Sequence, residues 1–191
     1  GQWFAPPRRL NFFPIGLKLL QRGYDREGIA YYERYKSSFA GHPQFQRMLV
    51  FLGDAANRLG DGERALIAYE EAIGRSAGKD SAALRGAAWV LAANPNSSLR
   101  DGHRAVAYAE SAKKQTGGKD AAVLDALAAA YAEIGDFSAA ISNVEAALTL
   151  LRDRGEAPLV KSVNARRNLY LKKRAFRRAR SVQKLDYNRM R

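Results

Sequence analysis

Residues 123 to 137 read Val-Leu-Asp-Ala-Leu-Ala-Ala-Ala-Tyr-Ala-Glu-Ile-Gly-Asp-Phe. Alanine and leucine dominate the run until Gly135, and Asp136 then stands where a second helix would be capped. Leu124, Leu127, Ala128 and Tyr131 recur at spacings of three and four, which is one face of a helix. Beyond the turn, Ala140, Val144 and Ala147 continue a helical spacing with small residues at the contact positions. The stretch therefore predicts two antiparallel helices that approach closely, with Gly135 at the bend.

The pattern occurs again in register at Leu49, Leu52, Gly53, Ala56, Gly60, Ala65, Tyr69 and Ala72. A third copy runs through Leu84, Ala87, Ala88, Leu91, Ala105, Ala109 and Ala112, its turn lengthened by Asn94-Pro95-Asn96-Ser97-Ser98. A degenerate copy comes first, at Phe12, Ile15, Gly16, Leu19, Gly23, Gly28 and Tyr32, with Gly28 and Tyr35 replacing the two small alanines. Helices are expected at 9–22, 26–40, 43–59, 62–76, 80–94, 98–115, 120–134, 136–153 and 157–174. Ser98 to Asp101 reads as a capping box, and Asp80, Asp120 and Asp136 as further caps.

This signature resembles that of the bacterial tetratricopeptide repeat (TPR) proteins over residues 46 to 153. The resemblance implies an all-α, TPR-type α-solenoid of about four helical hairpins plus a C-terminal capping helix, each hairpin covering the apolar face of its neighbour. The expected divisions are an aromatic and proline-rich arm at 1–8 and an array at 9–154, divided as 9–42, 46–79, 81–118 and 121–154. A capping helix at 155–173 and a basic tail at 174–191 complete the chain.

Charge is unevenly distributed. The chain holds 32 Lys and Arg against 19 Asp and Glu, a net +13. From Gly155 onward, 12 basic residues face Glu156 and Asp186, so +10 belongs to the C-terminal end and only +3 to the rest. Cysteine is absent, which excludes a disulfide framework and thiolate metal sites and leaves the compartment open. No apolar run approaches the roughly 18 residues of a membrane span. The chain is therefore expected to be soluble or peripheral.

Catalytic motifs are wanting. Gly60-Asp61-Gly62-Glu63-Arg64-Ala65 has the spacing of a dinucleotide-binding turn, but a helical pattern precedes it and Asp61 and Glu63 would repel phosphate. His42 and His103 lie in or beside turns without a ligand-spaced companion and are read as solvated. No cofactor, metal or small-molecule substrate is expected, and the chain is read as a non-enzyme.

In TPR proteins the first helix of each hairpin lines a concave groove that holds peptides or helices of partners. Carried onto this register, the groove-facing set is Phe13, Leu17 and Leu20, then Arg47, Val50, Asp54, Asn57 and Arg58, then Arg85 and Trp89, then Asp125 and Glu133. Arg47, Asp54, Asn57, Arg58, Arg85, Trp89 and Asp125 are the partner-binding candidates, since Arg and Trp commonly anchor interfaces. The clamp that grips a terminal carboxylate in chaperone-type TPR proteins needs Lys and Asn where this chain has Val50 and Asp54, with only Asn57 matching.

Both ends carry further candidates. Trp3, Phe4, Phe12 and Phe13 could cover the first hairpin or insert into another subunit. Lys172, Lys173, Arg174, Arg177, Arg178, Arg180, Lys184, Arg189 and Arg191 form a basic tail, expected to be extended or partly helical until bound. Phe176, Val182, Leu185, Tyr187 and Met190 are interleaved with it as apolar anchors. The function expected is a non-catalytic protein-interaction scaffold or accessory subunit of a larger complex, with an acidic partner surface for the tail. RNA, ribosome or anionic-lipid association through the tail is the alternative.

Overall fold

Each acidic residue that precedes an alanine-rich segment turns its side chain back onto the first amides of a helix. Asp61 accepts from the Arg64 amide, Asp80 from Ala82 and Ala83, Asp101 from Arg104, Asp120 from Ala122 and Val123, and Asp136 from Ala139. These bonds satisfy donors that a helix start leaves open. The computed structural model describes residues 12–179. The 1–8 arm, with Trp3 and Phe4, lies outside the described residues, as do Arg180, Lys184, Arg189 and Arg191.

Among the described residues nine α-helices follow one another without a strand. They are α1 (Phe13–Gln21), α2 (Asp25–Tyr35), α3 (Phe45–Arg58), α4 (Gly62–Arg75), α5 (Ser81–Ala93), α6 (Gly102–Thr116), α7 (Ala121–Glu133), α8 (Phe137–Asp153) and α9 (Ala157–Leu171). Four antiparallel hairpins, α1–α2 to α7–α8, stack in chain order and α9 closes the end. The odd-numbered helices touch one another (α1 on α3, α3 on α5, α5 on α7) and form an inner layer. Each even-numbered helix wedges between the inner helix of its own hairpin and the next one. The architecture is the TPR-type solenoid anticipated from the repeat.

Small residues set the spacing. Ala65, Ala72, Ala105, Ala109, Ala112, Ala140 and Ala147 are all fully buried at the contacts between inner and outer helices. In the first hairpin Gly28 takes this role in a tighter form, since a Cβ there would lie 2.7 Å from a Leu20 methyl. Tyr35, at the other degenerate position, stacks on Phe12 with ring centroids 4.4 Å apart. The departure at Tyr35 thus gives Phe12 a seat on the first hairpin.

Two helix starts differ from expectation. The first helix begins at Phe13 with Pro14 in its first turn, rather than at residue 9. The sixth begins at Gly102, not 98: Asn96 caps a 3₁₀ turn at Ser97–Leu99, Arg100 is extended, and Asp101 becomes the cap. Asn94 and Pro95 end α5 without room for a helix to restart at once. The G-x-G spacing at Gly60 and Gly62 also has a packing origin. Gly60 bends the chain at φ +83, and Asn94 lies so close to Gly62 that a Cβ there would sit 1.9 Å from its amide nitrogen.

Asp80 is more than a cap. Its second oxygen accepts from Gln46 Nε2 at 2.7 Å and so ties the start of α5 to α3. Asp80→Ala is expected to lower stability by about 1–2 kcal/mol, the upper range for a lost cap. The check is a shift of the urea midpoint with an unchanged slope.

Candidate functional site: the concave groove

The inner layer presents its polar residues along one side. Asp54 and Asn57 on α3, Arg85 and Trp89 on α5, and Asp125 on α7 surround a single cavity of about 240 Å³. Tyr69, Gly86 and Ala126 form its floor. Five of the seven residues selected as groove candidates therefore meet at one place. The periodicity puts them there: each directly follows a residue of the repeat's contact face (Gly53, Ala56, Leu84, Ala88 and Leu124) and so projects to the side of it.

Charges inside the groove are held in fixed pairs. Asp125 is 8% exposed and accepts two hydrogen bonds from Arg166 of α9, at 2.8 and 2.6 Å. Burial raises the Asp125 carboxyl above its ordinary pKa, and the Arg166 guanidinium pulls it back down without cancelling the rise. Arg166 lies 5.3 Å from the Trp89 ring centroid and 5.5 Å from that of Phe176. Below this layer Tyr69 donates its hydroxyl to Asp54 at 2.6 Å, and burial followed by the Asp54 charge pushes its pKa up. Tyr170 of α9 is fully buried nearby, its pKa raised first by burial and then by Asp125.

The segment after α9 does not leave the fold. It turns at Lys172 and Lys173 and runs without regular structure across the inner helices in reverse order, from α7 to α5 to α3. Phe176 packs beside Trp89 with centroids 5.8 Å apart. Arg177 pairs with Glu133 at the end of α7, at 2.5 Å, and reaches the Ala92 carbonyl at 3.5 Å. The Arg178 amide donates to the Ala93 carbonyl at 2.9 Å. Its guanidinium donates to the Asn57 side chain at 2.5 Å and to the Arg58 carbonyl at 3.5 Å.

These contacts follow from an unusual helix end. In α3 the carbonyls of Ala55, Ala56 and Asn57, and in α7 those of Ala130, Tyr131 and Ala132, are closed by amides of the turns at Gly60 and Gly135, both with positive φ, which leaves only the last carbonyl of each helix without a turn amide. The lengthened turn after α5 has no such glycine, and its C-cap Asn94 is extended. The Val90 carbonyl takes the Asn94 amide and the Leu91 carbonyl the Asp101 amide, which leaves Ala92 and Ala93 open. Arg177 and Arg178 occupy them. A helix C-terminus carries partial negative charge, so cations are favoured there. Arg100, from the lengthened turn, adds a bond to Glu133 at 3.0 Å and another to the Asn94 carbonyl at 2.9 Å.

The remaining candidates stand elsewhere. Arg47 is exposed, lies over Phe51 at 5.7 Å, and with Val50 and Asp80 borders a separate cavity of about 460 Å³. Arg58 makes a two-bond pair with Asp25 of α2, at 2.8 and 2.6 Å, on the rim. Phe13, Leu17 and Leu20 do not face the groove. They are 2%, 7% and 1% exposed and belong to the core, because Phe39, His42 and Phe45 close over that side of α1. Phe13 is consequently a core residue of α1 rather than part of an arm, while Phe12 stays half-buried against Tyr35.

His42 is likewise not simply solvated. Its ring stacks on Phe13 with centroids 3.6 Å apart, and its Nδ1 accepts from the Gln44 amide. His103 is exposed in the first turn of α6. Lys172, Lys173 and Arg174 are exposed. Arg177 and Arg178, expected to await an acidic partner surface, are engaged within the chain. Arg166 was not among the candidates. A lone aspartate on the otherwise apolar α7 face was the available signal for it, since a buried carboxylate calls for a cation.

Among the described residues no three His, Asp or Glu are grouped to hold a metal ion, and no helix is long and apolar enough to cross a membrane. Two solved structures share the architecture. One is "MamA 41-end from Desulfovibrio magneticus RS-1", with a TM-score of 0.59 and 18% identity over 85% of this chain and 86% of that one. The other is "MamA RS-1 ArsTM double mutant", with a TM-score of 0.58 and 17% identity over 85% and 88%. At such identity the likeness concerns the fold, a TPR-like solenoid. No family model matches the sequence, and no curated protein matches it.

Proposed function

We propose that the chain is a non-catalytic interaction scaffold whose concave groove holds an extended segment of protein. The observation that carries this reading is the groove itself. Asp54, Asn57, Arg85, Trp89 and Asp125 converge on one cavity, and a non-helical stretch of the chain's own C-terminal segment already lies across its edge. A fixed aromatic wall flanked by paired charges suits recognition of side chains, since rigid Trp and Arg surfaces lose little freedom on binding.

The termini support an accessory role in a larger complex, with Phe12 seated on the first hairpin and the basic segment laid along the groove. Pairing of Arg177 and Arg178 inside the fold withdraws two cations from any RNA or anionic-lipid contact, which weighs towards a protein ligand. The test is recovery of partners from native extract by the full chain at moderate salt, beside Trp89→Ala and Arg85→Glu variants. A protein recovered near stoichiometry by the parent and at least tenfold less by both variants is the expected result. A chain that emerges alone, or whose partner ignores both changes, defeats the proposal.

A further inference from the structure

The four residues Ala175-Phe176-Arg177-Arg178 occupy the groove in the manner of a bound peptide. Each makes or permits a different contact, and the contacts are spaced as subsites. The ring of Phe176 rests against Trp89, with the Arg166 guanidinium over both rings. Arg177 meets Glu133, whose side chain is only 14% exposed and is held in place by Arg100. Arg178 meets Asn57 and the C-terminal carbonyl of α3, and its amide closes the open carbonyl of Ala93.

The geometry points to a receptor groove for extended protein segments that carry an aromatic side chain followed by two arginines. Residues 175–178 are the chain's own copy of that ligand, and an external segment of the same chemistry replaces it. This rests on the scaffold reading and adds to it the chemical class of the ligand and the element that competes with it.

Three physical features set the specificity. The aromatic subsite is a wall of indole and guanidinium, which attracts a ring by tilted aromatic contact and by cation–π contact. The arginine subsites are helix ends, where unsatisfied carbonyls and a carboxylate favour a planar donor fork over a point charge. The frame is set by the main-chain bond to Ala93 together with the Arg177 bond to Ala92, whose carbonyl is open because the turn after α5 lacks the glycine amide that closes Asn57 and Ala132. The docking is also reversible in form. Among residues 174–179 the bond to Ala93 is the single main-chain link to an element other than α9, and the Arg177 side chain is 39% exposed. A covalently attached segment of this kind competes as a high effective concentration, not as an irreversible plug.

The experiment uses the full chain with Phe176→Ala, Arg177→Ser and Arg178→Ser together, which disarms the segment while keeping its length. The probe is a fluorescent peptide Lys-Lys-Arg-Ala-Phe-Arg-Arg-Ala, with a scrambled peptide of equal composition as control. Fluorescence anisotropy is expected to show the disarmed chain binding the probe at least tenfold tighter than the unchanged chain does, and at least tenfold tighter than the scramble. Adding Glu133→Gln and Asn57→Ala should abolish that gain. Equal binding of probe and scramble, or no gain in a disarmed chain that is folded by circular dichroism, overturns the inference.

Should the triple variant fail to fold, Phe176→Ala alone serves. It leaves both arginine contacts in place, a gain of at least threefold is expected, and its absence counts against the inference. If the peptide is ignored while Trp89→Ala and Arg85→Glu still release a cellular partner, the ligand class falls and the scaffold reading stands. If neither responds, both fall.

Discussion

Replacing Arg166 by methionine is expected to destabilise the chain by about 3–5 kcal/mol, far more than the loss of a surface charge. The guanidinium makes both hydrogen bonds to Asp125, and the two side chains are only 13% and 11% exposed. Without it a carboxylate stays buried and unpaired, and that penalty is the main part of the effect. The pH dependence gives the mechanism away. Burial already raises Asp125 above its ordinary pKa and Arg166 opposes the rise, so the variant's carboxyl rises further. The folded variant then holds a proton at pH values where the unfolded chain has released it. Its stability therefore falls as pH increases above the ordinary carboxylate range through the raised folded pKa.

Denaturant titrations at pH 5 and pH 8 should show the larger deficit at pH 8. The double variant Asp125→Leu and Arg166→Met removes both charges and should recover most of the loss. A single variant with the same deficit at both pH values would mean that Asp125 finds another partner.

The second large effect centres on Tyr69. Its ring is clamped between α3 and α5 at two glycines. A Cβ on Gly86 would lie 2.4 Å from the ring, and one on Gly53 would lie 2.6 Å from it. The ring cannot yield to either side, so Gly86→Ala should cost about 1–3 kcal/mol by overpacking. Tyr69→Ala should cost about 3–5 kcal/mol, through the cavity it leaves and the hydrogen bond that Asp54 loses. The combination is the sharper test. With the ring gone, Gly86→Ala faces open space and gains the helical preference of alanine over glycine, up to about 1 kcal/mol. The same substitution should thus change sign between the two backgrounds. Thermal unfolding of the four chains measures it, and simple additivity would refute the clamp.

The array was legible because each hairpin repeats the same local problem, two helices pressed together, and solves it with alanines at fixed spacing. Ala65, Ala72, Ala140 and Ala147 announce their partners by position alone. The meeting of Asp54, Asn57, Arg85, Trp89 and Asp125 at one cavity was legible for the same reason, as residues on the remaining face of helices whose contact face was known, while Arg47 and Arg58 stand apart from it. The first hairpin was not. Phe13, Leu17 and Leu20 sit at groove positions of the register, but the aromatic turn at Phe39 and His42 closes over them and turns that face into core. The packing of His42 on Phe13, where the sequence suggested a solvated ring, was not legible because a ring in a turn has no periodic signature.

Long-range pairing without periodicity was hidden altogether. Arg166 and Asp125 are 41 residues apart, and Arg178 and Asn57 are 121 apart. Nothing in an arginine-rich run distinguishes the two residues that dock from the others. Only the lengthened turn at Asn94 to Ser98 hinted that one repeat differs, and its effect lies in carbonyls that the sequence does not display.

That turn has a wider consequence. A stack of near-identical hairpins presents near-identical sites, and an extended chain laid along it could slide by one hairpin with little change in energy. The open end of α5 breaks that translational degeneracy. The end of α5 leaves the carbonyls of both Ala92 and Ala93 open beside Trp89, where turn amides in α3 and α7 close all but the last one, so one alignment gains a bond to Ala92 that shifted alignments lack. An insertion in a single connection thereby gives a periodic surface a fixed origin, from which a linear segment can be read in one frame and one direction.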